Sequence, residues 1–188
     1  MSKGGTMARI ELRFAGFGGQ GIILAGYIVG KAASIYDKKQ ATMTQSYGPE
    51  SRGGACSAGV VVSDTTVHYP HPVKPSILVV MSQEACTKFE PQLPDGALML
   101  IDEDFVRPQR LNKTVKIYGI QATRIAETLG RKIVANIVML GFFTAITKVV
   151  TPEAMKQAIS TTVPQGTTEL NLSAMQRGYD HGLQAKPL

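Results

Sequence analysis

The sequence predicts a three-layer α/β domain with a mostly parallel (mixed) sheet, a Rossmann-like opening βα unit and a helical C-terminal part. Three observations lead to this prediction. A glycine-rich loop near the start of the chain separates an alternating strand pattern from a helix pattern. Short, continuous apolar runs in the middle of the chain are typical of strands buried on both faces. From residue 123 onward, helix patterns follow one another.

The opening βα unit is predicted from the change in hydrophobic periodicity across the loop. Apolar residues from Ile10 alternate with charged ones, which indicates a strand. Apolar and small residues at helical spacing begin at Gly21, and this helix is predicted to end near Asp37. Residues 1–8 lack the apolar core of a signal peptide and are expected to be a flexible leader. Residues 9–188 are expected to form a single domain.

The middle of the chain is predicted to supply the rest of the sheet. Strands over 40–45 and 55–63 are expected either to pair as a hairpin or to cross between sheet edges. Ser82 is the expected N-cap of a helix that runs through Phe89. The remaining strands are predicted over 77–81, 97–101 and 115–120.

Four helices are predicted for the C-terminal part. The third of them has the clearest start, because Thr151 can cap it and Pro152 suits its first position. The four ranges are 123–129, 136–149, 152–161 and 168–179.

The composition fits one compact domain and narrows the class of partner. Of the 188 residues, 44% are hydrophobic, and 20 Lys and Arg against 14 Asp and Glu give a net charge of +6. A basic balance suits an acidic partner or a phosphorylated ligand. No nucleic acid is predicted as a partner, because Trp is absent and no run of Lys and Arg is interleaved with aromatic residues.

The cysteines and the apolar stretches predict a cytoplasmic protein. Cys56 and Cys86 are the two cysteines of the chain, and no CxxC occurs, so a disulfide framework, a zinc ribbon and a self-contained iron–sulfur cluster are not predicted. Both are interpreted as small buried hydrophobes, and a reducing compartment is the simplest location. The longest apolar stretch, 133–146, is shorter than the roughly 20 residues that a bilayer requires, so no membrane span is predicted.

The loop after the first strand is the main candidate binding site. It carries a GxGxxG pattern between a strand and a helix, where backbone amides can approach a phosphate at the helix N-terminus. Contact with a phosphate or cofactor is the favoured interpretation, and a tight turn with close helix packing is the alternative. The residues are Gly16, Phe17, Gly18, Gly19, Gln20 and Gly21.

The residues after this loop disfavour a nicotinamide or flavin site. Such sites usually place a carboxylate at the end of the second strand to accept the ribose hydroxyls. No carboxylate occurs between Asp37 and Glu50. A nucleoside triphosphate site is less favoured still, since the loop has no Lys followed by Ser or Thr.

A second glycine-rich segment could bind an anion through the guanidinium of Arg52. Glu50 stands close enough in sequence to orient that side chain. The alternative, which the residues leave equally open, is a hairpin turn with a solvated ion pair. The segment continues through Ser51, Gly53 and Gly54.

Three smaller features are given structural interpretations. Metal binding by His68 and His71 is not favoured, because two prolines prevent a helical HxxH face and no third ligand is evident. Charge clusters at 38–39 and 102–104 are interpreted as solvated surface. Asn136 needs a hydrogen-bonding partner if it is buried, and it could equally be an N-cap.

The glycine loop, the segment Tyr47–Gly54 and several later motifs together resemble the gamma subunit of 2-oxoacid:ferredoxin oxidoreductases. The resemblance extends from Arg9 to about Gly182, and the order and spacing of the motifs make it specific. The later motifs are Pro94–Ala97, Ala135–Gly141, Asn171–Ala174 and Gly178. Within the family, the 2-oxoglutarate type is the most similar, and the pyruvate and ketoisovalerate types remain open.

The resemblance implies a heteromeric, oxygen-sensitive enzyme of which this chain is one component. Such an enzyme decarboxylates a 2-oxoacid on thiamine diphosphate, transfers the acyl group to coenzyme A and passes electrons to ferredoxin. Thiamine diphosphate, Mg and iron–sulfur clusters are expected on the alpha and beta subunits, with a delta subunit as a further candidate. The catalytic residues are left unassigned.

The resemblance also leads to a hypothesis for the site. We expect the loop Gly16–Gly21 and residues from the second segment to contribute to a pocket for coenzyme A phosphates or the thiamine-bound intermediate. The second set comprises Tyr47, Gly48, Glu50, Ser51, Arg52, Gly53 and Gly54. A standalone dinucleotide-binding oxidoreductase and a noncatalytic scaffold subunit are the competing hypotheses. Met43, Met139, Phe142 and Phe143 are candidates for a subunit surface, although their spacing favours the core.

Overall fold

The computed structural model describes residues 9–47, 55–67, 69 and 71–188. Six strands and six α-helices are assigned in this part of the chain. The strands are β1 (Ile10–Phe17), β2 (Gln40–Tyr47), β3 (Ala55–Ser63), β4 (Ile77–Val80), β5 (Leu98–Asp102) and β6 (Lys116–Ile120). The helices are α1 (Ile22–Lys31), α2 (Gln83–Phe89), α3 (Ala122–Thr128), α4 (Ala135–Thr147), α5 (Pro152–Ser160) and α6 (Thr168–Gln184).

The strands form one mixed sheet in the order β2-β3-β1-β4-β5-β6. β1, β4, β5 and β6 are parallel, whereas β3 pairs antiparallel with both β1 and β2. The predicted mostly parallel sheet is therefore confirmed, and β2 and β3 form the hairpin that was one of the two expectations. β4 is buried along its whole length, as its continuous apolar run predicted.

The helices lie on both faces of the sheet, in unequal numbers. α2 packs on one face, against apolar side chains that β1, β4 and β5 direct to that side. α1, α3, α4, α5 and α6 pack on the other face, where the larger core lies. α4 is buried from Ala135 to Ala145 because it packs against α6, against neighbouring helices and, through Phe143 and Phe14, against β1. The three-layer prediction is confirmed.

α4 and α6 approach each other closely because each has a glycine at the contact. A Cβ built on Gly141 would lie 1.9 Å from the carbonyl oxygen of Met175. A Cβ built on Gly178 would lie 1.8 Å from the carbonyl oxygen of Val138. Any side chain at either position would force the two backbones apart.

Most element boundaries lie within two residues of the sequence expectation, and two helices have features that the sequence did not predict. The first helix changes to a π-helical turn over Ala32–Tyr36 after Lys31. α6 extends to Gln184, five residues past the predicted end at Tyr179. Its last turns are polar but remain attached to the core, because Gly182 packs against Ala145 and Phe142 of α4.

Most of the interpreted core residues are buried. Met139, Phe142 and Phe143 are at most 1% exposed, which settles the choice between core and subunit surface for these three, and Met43 is half-buried. Cys56 and Cys86 are both free and buried, and burial raises the pKa of the Cys86 thiol to about 12. Of the helices assigned in the described ranges, none combines the length and apolarity that crossing a membrane requires.

Candidate functional site

The candidate site lies where the parallel strands end. The chain leaves β1 toward one face of the sheet, through α1, and leaves β4 toward the other face, through α2. Neighbouring strands whose connections diverge in this way leave a crevice at their carboxyl ends, which is the usual ligand position in open α/β sheets. The predicted glycine loop lies at this crevice because it directly follows β1.

A cavity of about 370 Å³ occupies the crevice. Its volume is at the lower end of the range for small-molecule sites. The walls come from the ends of β1, β4 and β5 and from the starts of α3 and α4. The lining residues are Phe17, Gly19, Gln20, Met81, Phe105, Thr123, Lys132, Ile133 and Ala135.

The side chain of Gln20 holds the glycine loop in place. Its Oε1 accepts a hydrogen bond of 2.7 Å from the amide of Phe17, and its Nε2 donates one of 2.8 Å to the carbonyl oxygen of Met81. The loop after β1 is thus fastened both to itself and to the end of β4. Gly16 leaves room for this arrangement, because a Cβ there would lie 2.5 Å from Gln20 Oε1.

Gly21 is the N-cap of α1 and packs against α4. It has a φ of 70°, in the left-handed region that favours glycine, and a Cβ there would lie 2.3 Å from Asn136 Nδ2. The same nitrogen donates a hydrogen bond of 3.2 Å to the carbonyl oxygen of Gly21. Asn136 is therefore a buried residue whose partner is the glycine loop, and of its two predicted roles the N-cap role is wrong, because Val134 is the N-cap of α4.

The remaining glycines of the loop are open to a ligand. Gly18 and Gly19 are exposed, and a Cβ on Gly19 would meet nothing within 4 Å. Gly19 nevertheless requires glycine, since its φ is 94°. Close packing explains Gly16 and Gly21, in agreement with the tight-turn interpretation, whereas Gly18 and Gly19 face solvent and Gly19 lines the cavity.

The strands on either side of the second glycine-rich segment, β2 and β3, meet the same edge of the sheet. Phe17 pairs with Ala55, and Tyr47 pairs with Cys56, so both strands of the hairpin end beside the glycine loop. Tyr47 is 65% exposed there. The predicted site residues Gly48, Glu50, Ser51, Arg52, Gly53 and Gly54 lie outside the described residues, as does His68.

The interpretation of residues 102–104 as solvated surface is wrong for Asp102. This carboxyl group is fully buried at the end of β5, where its Oδ2 accepts a hydrogen bond of 2.7 Å from Thr123 Oγ1. Its Oδ1 accepts one of 3.1 Å from the amide of Asp104. Burial raises the pKa of Asp102, and the hydrogen bond from Thr123 opposes that rise. Asp102 thereby fixes a residue that lines the cavity.

The interpretation of residues 38–39 as surface also needs correction. Lys38 is exposed, but Lys39 Nζ is partly buried and donates a hydrogen bond of 2.6 Å to the carbonyl oxygen of Val149. This contact joins the start of β2 to the segment before α5. Lys39 therefore has a structural role, because its side chain holds these two segments together.

The cavity is mainly apolar and contains one charged lining side chain among the described residues, that of Lys132. Its Nζ lies 3.8 Å from Glu127 Oε1 and 5.4 Å from the centre of the Phe105 ring. Phe105 and Ile133 are 43% and 72% exposed at the rim. Such exposed apolar groups around a cavity are typical of surfaces that a ligand or another chain covers.

The residues present do not fit the metal centres of an electron-transfer enzyme. Within the described ranges, no three His, Cys, Asp or Glu side chains are grouped closely enough to hold a metal ion. The two cysteines of the chain are too few for an iron–sulfur cluster, which takes four.

The sheet order also disfavours a dinucleotide site. In that fold the neighbour of the first strand is parallel to it and ends in the carboxylate that binds ribose. Here β1 lies between the antiparallel strand β3 and the strand β4, which is followed by Met81 and Ser82. Among the described strands, neither neighbour of β1 ends in that carboxylate.

Sequence reasoning identified the loop but not the opposite wall of the cavity. Phe17, Gly19 and Gln20 were predicted, and the structure brings them together with residues from distant parts of the chain. The unpredicted lining residues are Met81, Phe105, Thr123, Lys132, Ile133 and Ala135. The positions of two of these residues in the sequence could have indicated a place at the cavity, because Met81 directly follows β4 and Thr123 lies just after β6.

The family model described as pyruvate ferredoxin/flavodoxin oxidoreductase matches residues 11–181. The 2-oxoglutarate synthase subunit KorC of Methanocaldococcus jannaschii is 49% identical over 182 residues, which cover 96% of this chain and 97% of that protein. A solved keto/oxoacid ferredoxin oxidoreductase gamma subunit from Geobacter sulfurreducens is 42% identical, with a TM-score of 0.86, and the match covers 95% of this chain and 99% of that one.

The same fold occurs in 2-oxoglutarate:ferredoxin oxidoreductase from Magnetococcus marinus, solved with 2-oxoglutarate, coenzyme A and succinyl-CoA bound. The TM-score is 0.84 at 20% identity, and the match covers 93% of this chain and 31% of that one.

Proposed function

Because the chain belongs to the pyruvate ferredoxin/flavodoxin oxidoreductase family, we propose that it is the gamma subunit of a cytoplasmic 2-oxoglutarate:ferredoxin oxidoreductase. The complex converts one 2-oxoacid, one coenzyme A and two oxidised ferredoxins into acyl-CoA, CO2, two reduced ferredoxins and one proton. The bond between the oxo carbon and the carboxyl carbon breaks, and a thioester bond to coenzyme A forms. The electron pair that remains on the former oxo carbon is transferred to ferredoxin.

The nearly complete match to KorC carries this proposal. The identity is 49% over 182 residues, which cover 96% of this chain and 97% of that protein. The similarity to a protein named for 2-oxoglutarate supports this substrate over pyruvate and ketoisovalerate. The substrate pocket is expected mainly on the partner subunits, so the choice of oxoacid is tested on the complex.

The cavity at the carboxyl ends of β1 and β4 is the proposed contribution of this chain to ligand binding. Gly19 and Gln20 line one wall, and Lys132 supplies a cation on the other. The combination suits coenzyme A or the acyl intermediate, both of which join an apolar portion to polar or anionic groups. Arg52 and its neighbours are proposed to add to this site from the second glycine-rich segment.

Thiamine diphosphate, Mg and iron–sulfur clusters are proposed to reside on the alpha and beta subunits, with a delta subunit as a further candidate. Thiamine diphosphate supplies the carbanion chemistry of the decarboxylation when it is bound there. This chain has the tasks of binding, orienting and enclosing the ligand. The exposed apolar residues at the cavity rim support a site completed by a partner.

The proposal is tested on the anaerobically purified complex, produced by co-expression of this chain with its partner chains. Coenzyme A-dependent reduction of ferredoxin is measured with 2-oxoglutarate, pyruvate and 3-methyl-2-oxobutanoate. We expect the highest kcat/KM for 2-oxoglutarate. A preference for another oxoacid would contradict the proposed substrate but not the subunit assignment, whereas failure to form a complex would contradict the latter.

The role of the cavity is tested with Lys132→Gln in the same complex. We expect the KM for coenzyme A to rise about tenfold, as for the loss of one charge-assisted contact. The KM for the oxoacid should not change. Lys113→Gln removes an equal charge from an exposed position away from the cavity and serves as the control. An unchanged KM in the Lys132 variant would favour the scaffold hypothesis.

A further inference from the structure

A second, polar groove lies on the face of the sheet that carries α2, over the strands β2, β3 and β1. We call it the Arg13 groove. It has a volume of about 350 Å³ and is separate from the cavity described above. Its lining residues are Arg13, Thr44, Gln45, Ser46, Ser57, Gly59, His71 and Pro72.

The strand register places the polar side chains of the groove next to one another. Arg13 pairs with Gly59, which in turn pairs with Thr44. Two residues closer to the hairpin end on each strand, Ser57 pairs with Ser46. Residues directly opposite in antiparallel strands share a face, with Cβ atoms about 4.5–5.5 Å apart. The guanidinium and three hydroxyls therefore line one surface.

Gly59 allows the chain at Pro72 to form a side of this groove. A Cβ on Gly59 would lie 2.5 Å from Pro72 Cγ and 3.0 Å from Thr44 Oγ1. The missing side chain thus brings the segment with His71 onto the sheet and leaves a concave space beside it. The imidazole of His71 is exposed at the groove.

The cation in this groove is half-buried and has no paired anion among the described residues. Burial lowers the pKa of the Arg13 guanidinium, because desolvation disfavours its charged form. It stacks 4.6 Å from the centre of the Phe89 ring, and its Nη1 donates a hydrogen bond of 3.2 Å to Gln92 Oε1. Across the described ranges, no carboxylate oxygen lies within 4.0 Å of its nitrogens.

The nearest carboxylate on the same strand is already in use. Glu11 Oε1 pairs with Arg9 at 3.0 Å. Glu11 Oε2 accepts hydrogen bonds of 2.6 and 2.8 Å from the amides of Val73 and Lys74. Most N–H groups of Arg13 are thus left for a ligand.

The neighbouring hydroxyls are also available. In the part of the chain that the structure describes, no hydrogen-bonding partner is found for the side chains of Thr44, Ser46 or Ser57. These hydroxyls can donate to an anion that the guanidinium attracts. A forked cation beside several free hydroxyls is the combination that binds phosphate and carboxylate groups.

We propose that the Arg13 groove binds the oxyanion group, phosphate or carboxylate, of a small molecule. The guanidinium pairs with two of its oxygens, and the hydroxyls of β2 and β3 bind the remaining ones. This site differs from the cavity at the carboxyl ends of β1 and β4, and it does not depend on the proposed function. The alternative is that Arg13 only joins β1 to Phe89 and Gln92.

The test is calorimetric titration of the full chain with inorganic phosphate and, separately, with succinate at constant ionic strength. Binding of the first probe alone identifies phosphate chemistry, and binding of the second alone identifies a carboxylate. We expect Arg13→Met to weaken the bound probe about tenfold or more and Ser57→Ala to weaken it about twofold to fivefold. Arg177→Met removes an exposed charge from α6 and should leave the affinity unchanged.

Two results would overturn the proposal. One is that neither probe binds to the wild-type chain. The other is that Arg13→Met and Ser57→Ala bind the probe as tightly as wild type does, which would leave Arg13 a purely structural cation. If Arg13→Met does not fold, the double variant Ser46→Ala and Ser57→Ala decides the question, because it keeps the guanidinium and its stacking contact.

Discussion

At the residue scale, the glycine loop combines positions that are closely packed with positions that are exposed. A Cβ on Gly21 would collide with the side chain of Asn136, whereas a Cβ on Gly19 would meet no atom within 4 Å. Both have positive φ angles, so both resist substitution for the same backbone reason. They differ in what a side chain would contact, and this difference can be measured.

We expect Gly21→Ala to destabilise the chain more than Gly19→Ala does. A left-handed conformation costs an alanine about 1–2 kcal/mol at either site. At Gly21 the new Cβ would also displace Asn136 and break its hydrogen bond to the loop, for a total of about 2–4 kcal/mol. Urea denaturation of both variants measures the two costs.

A double-mutant cycle provides the control for this prediction. Asn136→Ala removes the group that the new methyl would strike, so its combination with Gly21→Ala should cost less than the sum of the two single changes. Additive costs would show that the two residues do not interact.

The buried carboxyl of Asp102 should make stability depend on pH. Its folded-state pKa is raised above the ordinary 3.8, so the native chain binds this proton more tightly than the unfolded chain does. Its contribution to stability is therefore lost as pH rises from about 4 through the raised pKa. We expect the unfolding free energy of Asp102→Asn, relative to wild type, to increase from pH 4 to pH 7.

Thr123→Val tests the cause of this effect. The hydroxyl of Thr123 stabilises the charged carboxylate of Asp102. Its removal should therefore raise the pKa of Asp102 further and increase the stability that is lost between pH 4 and pH 7. A difference between Asp102→Asn and wild type that is the same at every pH would contradict the assignment.

At the element scale, the helical layers depend on backbone contact between α4 and α6. We expect Gly141→Ala and Gly178→Ala each to destabilise the chain by about 3 kcal/mol or more, because the new methyl would meet a carbonyl oxygen that cannot move away. Thermal and urea denaturation measure the loss.

Gly30→Ala is the matched control for these variants. It is also a helical glycine, in α1, but a Cβ there meets nothing within 4 Å. Its replacement should stabilise the chain by about 0.5–1 kcal/mol through helix propensity. Equal losses in all three variants would show that helix packing is not the cause.

Local sequence patterns were sufficient to predict the secondary-structure elements. They were not sufficient to predict the contacts between distant elements. The alternation from Ile10, the apolar run from Ile77 and the cap at Thr151 indicated strands and helices close to those observed. The pairing of β3 with β1 depends on the whole sheet. Asp102 was misjudged because its acidic neighbours suggested solvent, whereas its burial depends on Thr123, which is distant in sequence.

Of the candidate site, the sequence predicted only the side that the glycine loop forms. The loop at 16–21 has a recognisable pattern and context. Met81, Phe105 and Lys132 carry no motif, and the parallel strands bring them to the loop only once the sheet has formed.

At the scale of the whole molecule, an exposed apolar area on α1, on the π-helical turn that follows it and on β2 is consistent with assembly. Leu24, Tyr27 and Ile35 are 39%, 51% and 62% exposed, and they lie beside the half-buried Met43. We call this area the α1–β2 face. Single exposed apolar residues are ordinary, but a contiguous area indicates a contact surface.

We expect partner chains of the proposed complex to cover the α1–β2 face. The double variant Tyr27→Lys and Ile35→Lys should lower the amount of complex recovered by co-purification at least severalfold. The thermal stability of the isolated chain should change little, because both side chains are exposed.

Leu183→Lys is the control, since Leu183 is 62% exposed on α6, away from this face. Normal recovery of complex from the α1–β2 double variant would place the contact elsewhere.

The antiparallel insertion of β2 and β3 at one end of a parallel sheet has an evolutionary consequence. Both strands begin or end beside Phe17, so residues 48–54 can gain or lose length without shifting the pairing of β3 with β1. The parallel strands, whose ends position the walls of the cavity, would keep their places. The length of this connection can therefore vary among homologues while the parallel strands keep their register.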